Sequence, residues 1–368
     1  MYKVRYSYLA QQFADPRAIF EKLAELVTSG DFTLGRPVAE FEARFAAMLG
    51  VRHAIGVGSG TDAIKLPLKA LGIGPGDEVV TAANTFIATV GAIAETGARP
   101  ILVDCDDSFC LDVTKLEEAL TPRTKAIVPV QFTGEMTDMP RLMAIAARHN
   151  LPVVEDACQG IFAEIEGRRA GQWGVASAFS LHPLKNLNVW GDGGVVVTDD
   201  AAMDAKLRLL RNHGLVNRDE VAILGCNSRL DSVQAVVGNW LVGQTEAITA
   251  ARIANAAYYD AAFRDIPGVR VPPRRPSSKR VYHLYMLFAE RRDRLFEHCL
   301  QQGIEAKIHY PIPLYQQEGL KSLGYAPGTF PVTDRHAREV ISFPVDQYLT
   351  RDQQDLVIDA VRGFYRGA

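Results

Sequence analysis

From residue 50 onward the chain alternates short apolar runs with amphipathic stretches, and this alternation constrains its fold more than any other feature. The runs AIGVGS, EVVTAA, PILVDCD, KAIVPVQ and LPVVEDA are rich in Val and Ile, as expected of strands buried on both faces. The segments between them, including DMPRLMAIAARHN and the shorter KLEEAL, are expected to be helices. Repeated strand–helix–strand units predict an α/β fold with a mostly parallel sheet.

A second pattern follows a long stretch, from about residue 228 to 265, that is expected to be helical and to connect two lobes. VYHLYMLFAE and AKIHY indicate strands on either side of the helix RRDRLFEHCLQQGI. The last helix, DQQDLVIDAVRGFY, is preceded by Thr350 with Gln353 three residues on, which predicts a capping box. We therefore expect an N-terminal segment and large domain in 1–245 and a smaller α+β domain in 246–368.

Composition narrows the class of protein. Hydrophobic residues make up 48% and charged residues 23% of the 368, which is typical of a globular protein. The net charge of -3 comes from well-mixed acidic and basic residues, which argues against a nucleic-acid partner. No apolar signal region or long apolar run is present, so we expect a soluble, cytoplasmic protein without a membrane partner. The five Cys form no CxxC pair, which indicates reduced thiols, and no metal site is expected.

Two features indicate a ligand site at the carboxyl edge of the predicted sheet. Gly58, Gly60 and Thr61 lie at a strand-to-helix turn, where backbone N–H groups can bind phosphate, although most such turns bind nothing. Asp156 ends an apolar strand at the same edge. A carboxylate there can keep a pyridine nitrogen protonated, as pyridoxal phosphate requires, and a helix cap or a buried ion pair is the alternative.

The segment SLHPLKNLNVWGDGG supplies a candidate nucleophile. Ser180 ends the strand ASAFS and Lys185 follows in a loop rich in turn-forming residues. A lysine at the ligand edge can be desolvated and lose its proton, as an amine nucleophile must. Most loop lysines are simply solvated. It is the combination with the phosphate turn, the Asp156 carboxylate and the Ser180 hydroxyl that indicates a pyridoxal phosphate site.

Nine segments, in order along nearly the whole chain, resemble the DegT/DnrJ/EryC1/StrS sugar aminotransferases, which are pyridoxal-phosphate enzymes of fold type I. They are SGTDAI at 59–64, PGDEVV at 75–80, NTFIATV at 84–90, EDACQG at 155–160, SLHPLKN at 180–186, GDGG at 191–194, RNHG at 211–214, GCNSRLD at 225–231 and IHYPIP at 308–313. The resemblance implies a large domain with a mostly parallel seven-stranded sheet and a smaller C-terminal α+β domain.

The resemblance also implies roles around the cofactor ring. Lys185 is similar to the lysine that forms the Schiff base and carries the proton, and Asp156 to the partner of the pyridinium nitrogen. Gln159 is similar to the residue beside the phenolic oxygen. Phe86 is similar to the aromatic ring stacked on the pyridine, although its helical spacing also fits a core position.

Further residues are implied at the phosphate and on the substrate side. The phosphate ligands of the same subunit are Gly60, Thr61 and Ser180. Asn227 is similar to a residue that reaches the phosphate from a partner subunit, which implies a homodimer with shared sites; a turn or cap is the alternative. His309 and Tyr310 are similar to a substrate-side motif, although His309 also fits a structural strand histidine.

The implied reaction moves the amino group of glutamate, by way of pyridoxamine phosphate, onto a keto-sugar linked to a nucleoside diphosphate. The HYPIP motif favours amination at C3 over C4. A dehydratase-like relative would have His in place of Lys185, and a non-catalytic regulatory relative would be expected to lose Lys185 or Asp156. A nicotinamide-dependent oxidoreductase would need a GxGxxG turn that is missing here. Departures from the family pattern, Leu181 and the run Gln131 to Gly134, are expected to affect substrate fit and not the cofactor.

Overall fold

The computed structural model describes residues 2–367 and contains helices and strands in alternation. The helices are α1 (Leu9–Gln12), α2 (Arg17–Ser29), α3 (Arg36–Leu49), α4 (Gly60–Ala70), α5 (Ile87–Ala94), α6 (Met139–Arg148), α7 (Ala201–Leu210), α8 (Ser232–Val242), α9 (Thr245–Phe263), α10 (Arg292–Gln301), α11 (Pro331–Glu339) and α12 (Arg351–Arg366). The strands are β1 (His53–Val57), β2 (Glu78–Ala82), β3 (Arg99–Val103), β4 (Thr124–Val128), β5 (Val154–Asp156), β6 (Glu164–Ile165), β7 (Arg168–Arg169), β8 (Ala176–Ser180), β9 (Gly194–Thr198), β10 (Val269–Arg270), β11 (Ser278–Lys279), β12 (Tyr285–Ala289) and β13 (Val340–Phe343). Across the described chain, every helix is too short or too polar to cross a membrane.

One mostly parallel sheet of seven strands organises what we call the large lobe. Its strand order is β3-β2-β4-β5-β8-β9-β1, and bridges Ile127–Val153 and Val130–Asp156 join β4 to β5. Only β9 among these strands is antiparallel to its neighbours. The fold class predicted from the sequence is therefore confirmed. Parallel strands bring their carboxyl ends to one edge, where the residues after β1, β5 and β8 meet.

Both faces of this sheet are covered by helices, as the continuous apolar strands predicted. Along β9, Val195 and Val197 pack on the side of α2, α3, α6 and α8, whereas Val196 packs with α4, α5 and α7. All three valines are fully buried. Alternate side chains of a strand point to opposite faces, so a run of apolar residues is needed to fill both cores.

A smaller lobe is built on the antiparallel sheet β10-β12-β13. Helices α9, α10 and α12 contribute Tyr259, Leu295 and Val357 to its core. The capping box that opens α12 is present, since Thr350 accepts from the N–H of Gln353 and Gln353 accepts from the N–H of Thr350. A short sheet, β11-β6-β7, pairs a segment before β12 with the large lobe.

Two local predictions were wrong, and a third, the long helical stretch, is confirmed with one interruption. KLEEAL contains the end of a one-turn 3₁₀ helix, Val113–Lys115, and the whole of another, Glu117–Ala119, because a segment this short before Pro122 cannot offset the cost of starting an α-helix. The long helical stretch is two helices, α8 and α9, separated at Gly243. AKIHY makes a single bridge, from Lys307 to Ser342, since Pro311 soon ends any ladder of hydrogen bonds.

The N-terminal residues pack away from the large sheet. Val4 belongs to the core of the small lobe, and the N–H of Lys3 donates to the carbonyl of Gly303 at 2.8 Å. The predicted boundary between residues 245 and 246 falls in the first turn of α9. Where the two domains divide stays a prediction.

Candidate active site

A cavity of about 380 Å³ lies at the carboxyl edge of the large sheet, between the two lobes. It brings together nine of the residues that the sequence singled out: Gly60, Thr61, Phe86, Asp156, Gln159, Ser180, Lys185, His309 and Tyr310. Cavities of this size and place are where ligands of α/β proteins bind.

The first part of the site is the gap beside Ser180 where α4 begins. Ser59 caps this helix by accepting from the N–H of Asp62 at 3.1 Å. The N–H groups of Gly60 and Thr61, in contrast, donate to no atom in the described part of the chain. A Cβ on Gly60 would lie 2.7 Å from Cβ and 2.9 Å from Oγ of Ser180, so only glycine lets the Ser180 hydroxyl lie this close to the start of the helix. Free N–H groups, a helix start and a hydroxyl together fit a phosphate.

Asp156 ends β5 and is buried, with 5% of its surface exposed. Its Oδ2 accepts from the hydroxyl of Thr89 at 2.7 Å, and its Oδ1 accepts from the N–H of Cys158 at 3.1 Å. A carboxylate has capacity for further donors beyond these two. Asp156 is therefore fixed in orientation and can still accept from a protonated ring nitrogen in the cavity.

Lys185 lies in the loop that joins β8 to its antiparallel neighbour β9. The loop is closed at its base, since the N–H of Leu181 donates to the carbonyl of Gly193 at 2.9 Å. The carbonyl of Lys185 accepts from the hydroxyl of Tyr8 at 3.1 Å and from the side-chain amide of Asn188 at 2.9 Å. These contacts hold the lysine backbone on the cavity wall.

Burial lowers the pKa of the Lys185 amine, because the surrounding protein solvates the ammonium form poorly. The nearby Cys158 and Asp156 oppose this effect without cancelling it. A neutral amine is the form that attacks a carbonyl or removes a proton. The electrostatics of the cavity thus favour the chemistry expected of Lys185.

Gln159 connects the cavity to the run in which the chain departs from the family pattern. Its Oε1 accepts from the N–H of Thr133 at 2.7 Å. In the same run, Nε2 of Gln131 donates to Glu155 at 3.1 Å, one residue before Asp156. The run therefore lies next to predicted cofactor residues, and the expectation that its departures affect substrate fit and not the cofactor stays a prediction.

Phe86, predicted to stack on the cofactor ring, lines the cavity together with His309 and Tyr310, which are predicted on the substrate side. Phe86 is 50% exposed, which excludes the core position that its helical spacing also fitted, and its ring centre lies 6.2 Å from that of Tyr310. His309 shares a 2.8 Å hydrogen bond with the hydroxyl of Ser342. Burial, together with the charges of Lys307 and Lys185, lowers its pKa to about 4, so His309 is neutral near pH 7.

Asn227 lies on the surface and does not line the cavity of its own chain. It forms a bridge with Asn212 in an exposed loop segment. This position neither supports nor contradicts a contact with the phosphate of a second subunit. Its role stays a prediction.

Several cavity residues were missed by sequence reasoning, among them Tyr8, Arg252, His283 and Asp346. Arg252 is 2% exposed and donates to the carbonyl of Tyr282 at 3.2 Å. Burial lowers the pKa of His283 and raises that of Asp346. No local signal marks them, because each lies far along the chain from the glycine turn and from Lys185. Thr89 could have been found, since it falls within NTFIATV.

Comparison with known proteins agrees with this geometry. The model of the DegT/DnrJ/EryC1/StrS aminotransferase family matches residues 15–362. The chain belongs to this family. As a DegT/DnrJ/EryC1/StrS aminotransferase it is a sugar transaminase that uses pyridoxal phosphate, and the gap at Gly60, the carboxylate of Asp156 and the amine of Lys185 fit that cofactor.

Individual relatives cover almost the whole chain. A dTDP-3-amino-3,4,6-trideoxy-alpha-D-glucose transaminase from Streptomyces venezuelae is 40% identical over 95% of each chain. A pleiotropic regulatory protein from Geobacillus stearothermophilus is also 40% identical, over 95% of this chain and 94% of that protein. The solved structure of DesV from S. venezuelae, in complex with a ketimine intermediate, is 39% identical with a TM-score of 0.96 and covers 99% of both chains.

Proposed function

We propose that this aminotransferase moves the amino group of glutamate onto the 3-keto group of a sugar linked to a nucleoside diphosphate. The observation that carries the proposal is the convergence of a desolvated Lys185 amine, the Asp156 carboxylate and the Gly60–Ser180 gap in one cavity. The 3-amino sugar in the name of the S. venezuelae relative supports C3 over C4, as does the HYPIP motif.

In this proposal each cavity residue has one task. The N–H groups of Gly60 and Thr61 and the hydroxyl of Ser180 would hold the cofactor phosphate, and Asp156 would hold the ring nitrogen. Pyridoxal phosphate, when bound, delocalises the charge that develops as a proton leaves the substrate carbon. Nζ of Lys185 would remove and return that proton, since burial lowers the pKa of the amine and so favours its neutral form.

The substrate side would be completed by residues of the small lobe. His309 is neutral, and its Nδ1 is occupied by Ser342, so Nε2 is the ring atom left for the substrate. Tyr310 offers aromatic surface next to it, and Phe86 of the large lobe, whose ring centre lies 6.2 Å from that of Tyr310, would stack on the cofactor ring. A neutral imidazole suits the hydroxyl groups of a sugar, which both donate and accept hydrogen bonds.

The assay for the substrate is incubation of purified enzyme with glutamate and a panel of 3-keto and 4-keto nucleotide sugars, with products identified by mass spectrometry. Amination of 3-keto acceptors, absent in Lys185→Ala, is the expected result. Amination restricted to 4-keto acceptors would overturn the C3 assignment. If every nucleotide-linked acceptor failed, the proposed substrate class would be wrong.

We further propose a cytoplasmic homodimer in which Asn227 reaches the phosphate of the partner subunit. Its exposure in the single chain leaves it available for such a contact. Mixing inactive Lys185→Ala and Asn227→Ala subunits should restore part of the activity, since one mixed site would carry neither substitution. Absence of restoration in verified mixed dimers would contradict the shared site.

A further inference from the structure

Arg280 is a buried arginine without a carboxylate partner. It is 5% exposed, and its Nε and Nη1 have no hydrogen-bond partner in the described residues. Its one hydrogen bond within residues 2–367 runs from Nη2 to the hydroxyl of Thr133. A guanidinium is costly to bury when it is not paired with an anion, so such a position calls for an explanation.

Thr133 has an unusual backbone. Its φ of 61° and ψ of 1° lie in the left-handed region, which is unfavourable for a β-branched residue. The segment after β11 holds it there: besides the contact from Arg280, the N–H of Val281 donates to the carbonyl of Gly134 at 2.9 Å. The segment itself is placed by pairing of β11 with β6 of the large lobe.

This backbone conformation directs the N–H of Thr133 at Gln159. Since a backbone N–H can only donate, its partner at 2.7 Å must be the amide oxygen of Gln159. The other end of the amide, Nε2, donates to no atom among residues 2–367. With its oxygen engaged, Gln159 presents a donor to the cavity that also holds Asp156 and Lys185.

We propose that Arg280 is a positioning residue that, through Thr133, fixes which end of the Gln159 amide faces the cofactor. The proposal rests on the proposed function, because it needs the phenolic oxygen of the cofactor beside Gln159. A donor there stabilises the deprotonated form of that oxygen and lowers its pKa. Without Arg280, Thr133 relaxes, the amide is free to turn, and this stabilisation is lost.

The test is a pH titration of the visible absorption of the holoenzyme. In Arg280→Met the midpoint should rise by about 0.5 to 1 pH unit, which corresponds to one ordinary hydrogen bond. Glycine adopts the left-handed conformation without strain. Thr133→Gly should therefore leave the midpoint unchanged and, combined with Arg280→Met, should return it to the wild-type value.

Arg292→Met is the matched control. Arg292 is also 5% exposed and lies in the small lobe, but it donates to the carbonyls of Val340 and Ala337 and not to the Thr133 turn. Its loss should leave the midpoint unchanged. A purely structural role for Arg280 predicts the same titration midpoint in Arg280→Met and Arg292→Met, and no return to the wild-type midpoint when Thr133→Gly is added to Arg280→Met. Either result would overturn the proposal.

Two further variants, Thr133→Ala and Gln159→Leu, complete the test. If Arg280→Met does not yield folded protein, Thr133→Ala removes the accepting hydroxyl and should raise the midpoint in the same way. Gln159→Leu tests the placement of Gln159 separately from the role of Arg280. A shift of the titration midpoint in Gln159→Leu without one in Arg280→Met refutes the positioning role of Arg280 and leaves Gln159 assigned to the site. A wild-type protein that takes up no coloured cofactor would instead refute the proposed function.

Discussion

Asp104 joins the two lobes by capping a helix that belongs to the other lobe. It follows β3 of the large sheet, and its carboxylate accepts from the N–H groups of Val332 and Thr333 at 3.1 and 2.9 Å, at the start of α11. The hydroxyl of Thr333 donates to it as well, at 2.8 Å. The residue before the helix, Phe330, makes no side-chain cap. Asp104 therefore satisfies N–H groups that this helix leaves free.

Asp104→Ala should destabilise the protein by about 2 to 3 kcal/mol. Loss of a cap costs about 1 kcal/mol, and leaving buried N–H groups without a partner adds about 1 to 2 kcal/mol. At about 2.1 cal/mol/K per residue, the 368-residue chain has an unfolding entropy of about 0.8 kcal/mol/K. The melting temperature should thus fall by about 3 to 4 °C.

Differential scanning calorimetry of Asp104→Ala beside Asp200→Ala provides the assay and its control. Asp200 caps α7 within the large lobe, accepting from Ala202 and Met203, and is exposed. Its removal should lower the melting temperature by only about 1 °C, because water can accept from the N–H groups of Ala202 and Met203 in place of the carboxylate. Equal decreases in the two variants would refute the reasoning that burial between lobes makes Asp104 important.

The pH dependence offers a second check on Asp104. Burial alone would raise its pKa, but hydrogen bonds from Thr333 and Val332 outweigh burial and lower the pKa below its ordinary value. A lowered carboxyl pKa contributes stability that is full above the unfolded-state value, near pH ~4, and is lost as the pH falls through the folded-state value. The difference between wild type and Asp104→Ala should shrink below about pH 4.

Three further predictions concern single residues. Gly60→Ala should weaken cofactor binding about 10-fold or more by equilibrium titration, because the added Cβ would lie 2.7 Å from Cβ of Ser180; unchanged affinity would show that the gap is not used. Lys185→Met should make the apoprotein more stable to urea at pH 7. A lysine whose pKa is lowered by folding destabilises the folded protein at every pH below its unfolded-state pKa, so the gain should shrink toward about pH 10. A gain that does not depend on pH would contradict this origin. Thr350→Ala should cost about 1 kcal/mol in urea unfolding by removing the capping box with Gln353, and no loss would show that the box is not stabilising.

Sequence reasoning succeeded where the signal is local. Apolar runs that fill two cores and a glycine turn before α4 can be read from neighbouring residues, as can the capping box at Thr350. They led to the fold class and to the edge of the sheet where the cavity lies. Positions at or soon after strand ends also singled out Asp156 and Lys185, to which the family resemblance gave roles, and the cavity brings the two together.

What sequence reasoning missed depends on contacts between distant residues. Arg280 and Thr133 are 147 positions apart, and Asp104 and Thr333 are 229 apart. A charged residue on a polar loop is most often solvated, so nothing local distinguishes Arg280 from its neighbour Arg274. Only the packing of the lobes shows that Arg280 contacts the turn at Thr133 beside the cavity, whereas Arg274 pairs with Asp260.

The Lys185 loop is closed at its base by the hydrogen bond between Leu181 and Gly193, which fixes where the lysine lies. Because both ends of the loop attach to adjacent strands of the large sheet, the lysine is held independently of the small-lobe segment that carries His309 and Tyr310. Under the proposed function, substitutions in that segment would alter acceptor preference while the Lys185 amine stays in place. Transplanting residues 306–313 from a relative with another acceptor is thus a rational route to re-engineering this enzyme, and natural divergence could have followed the same path.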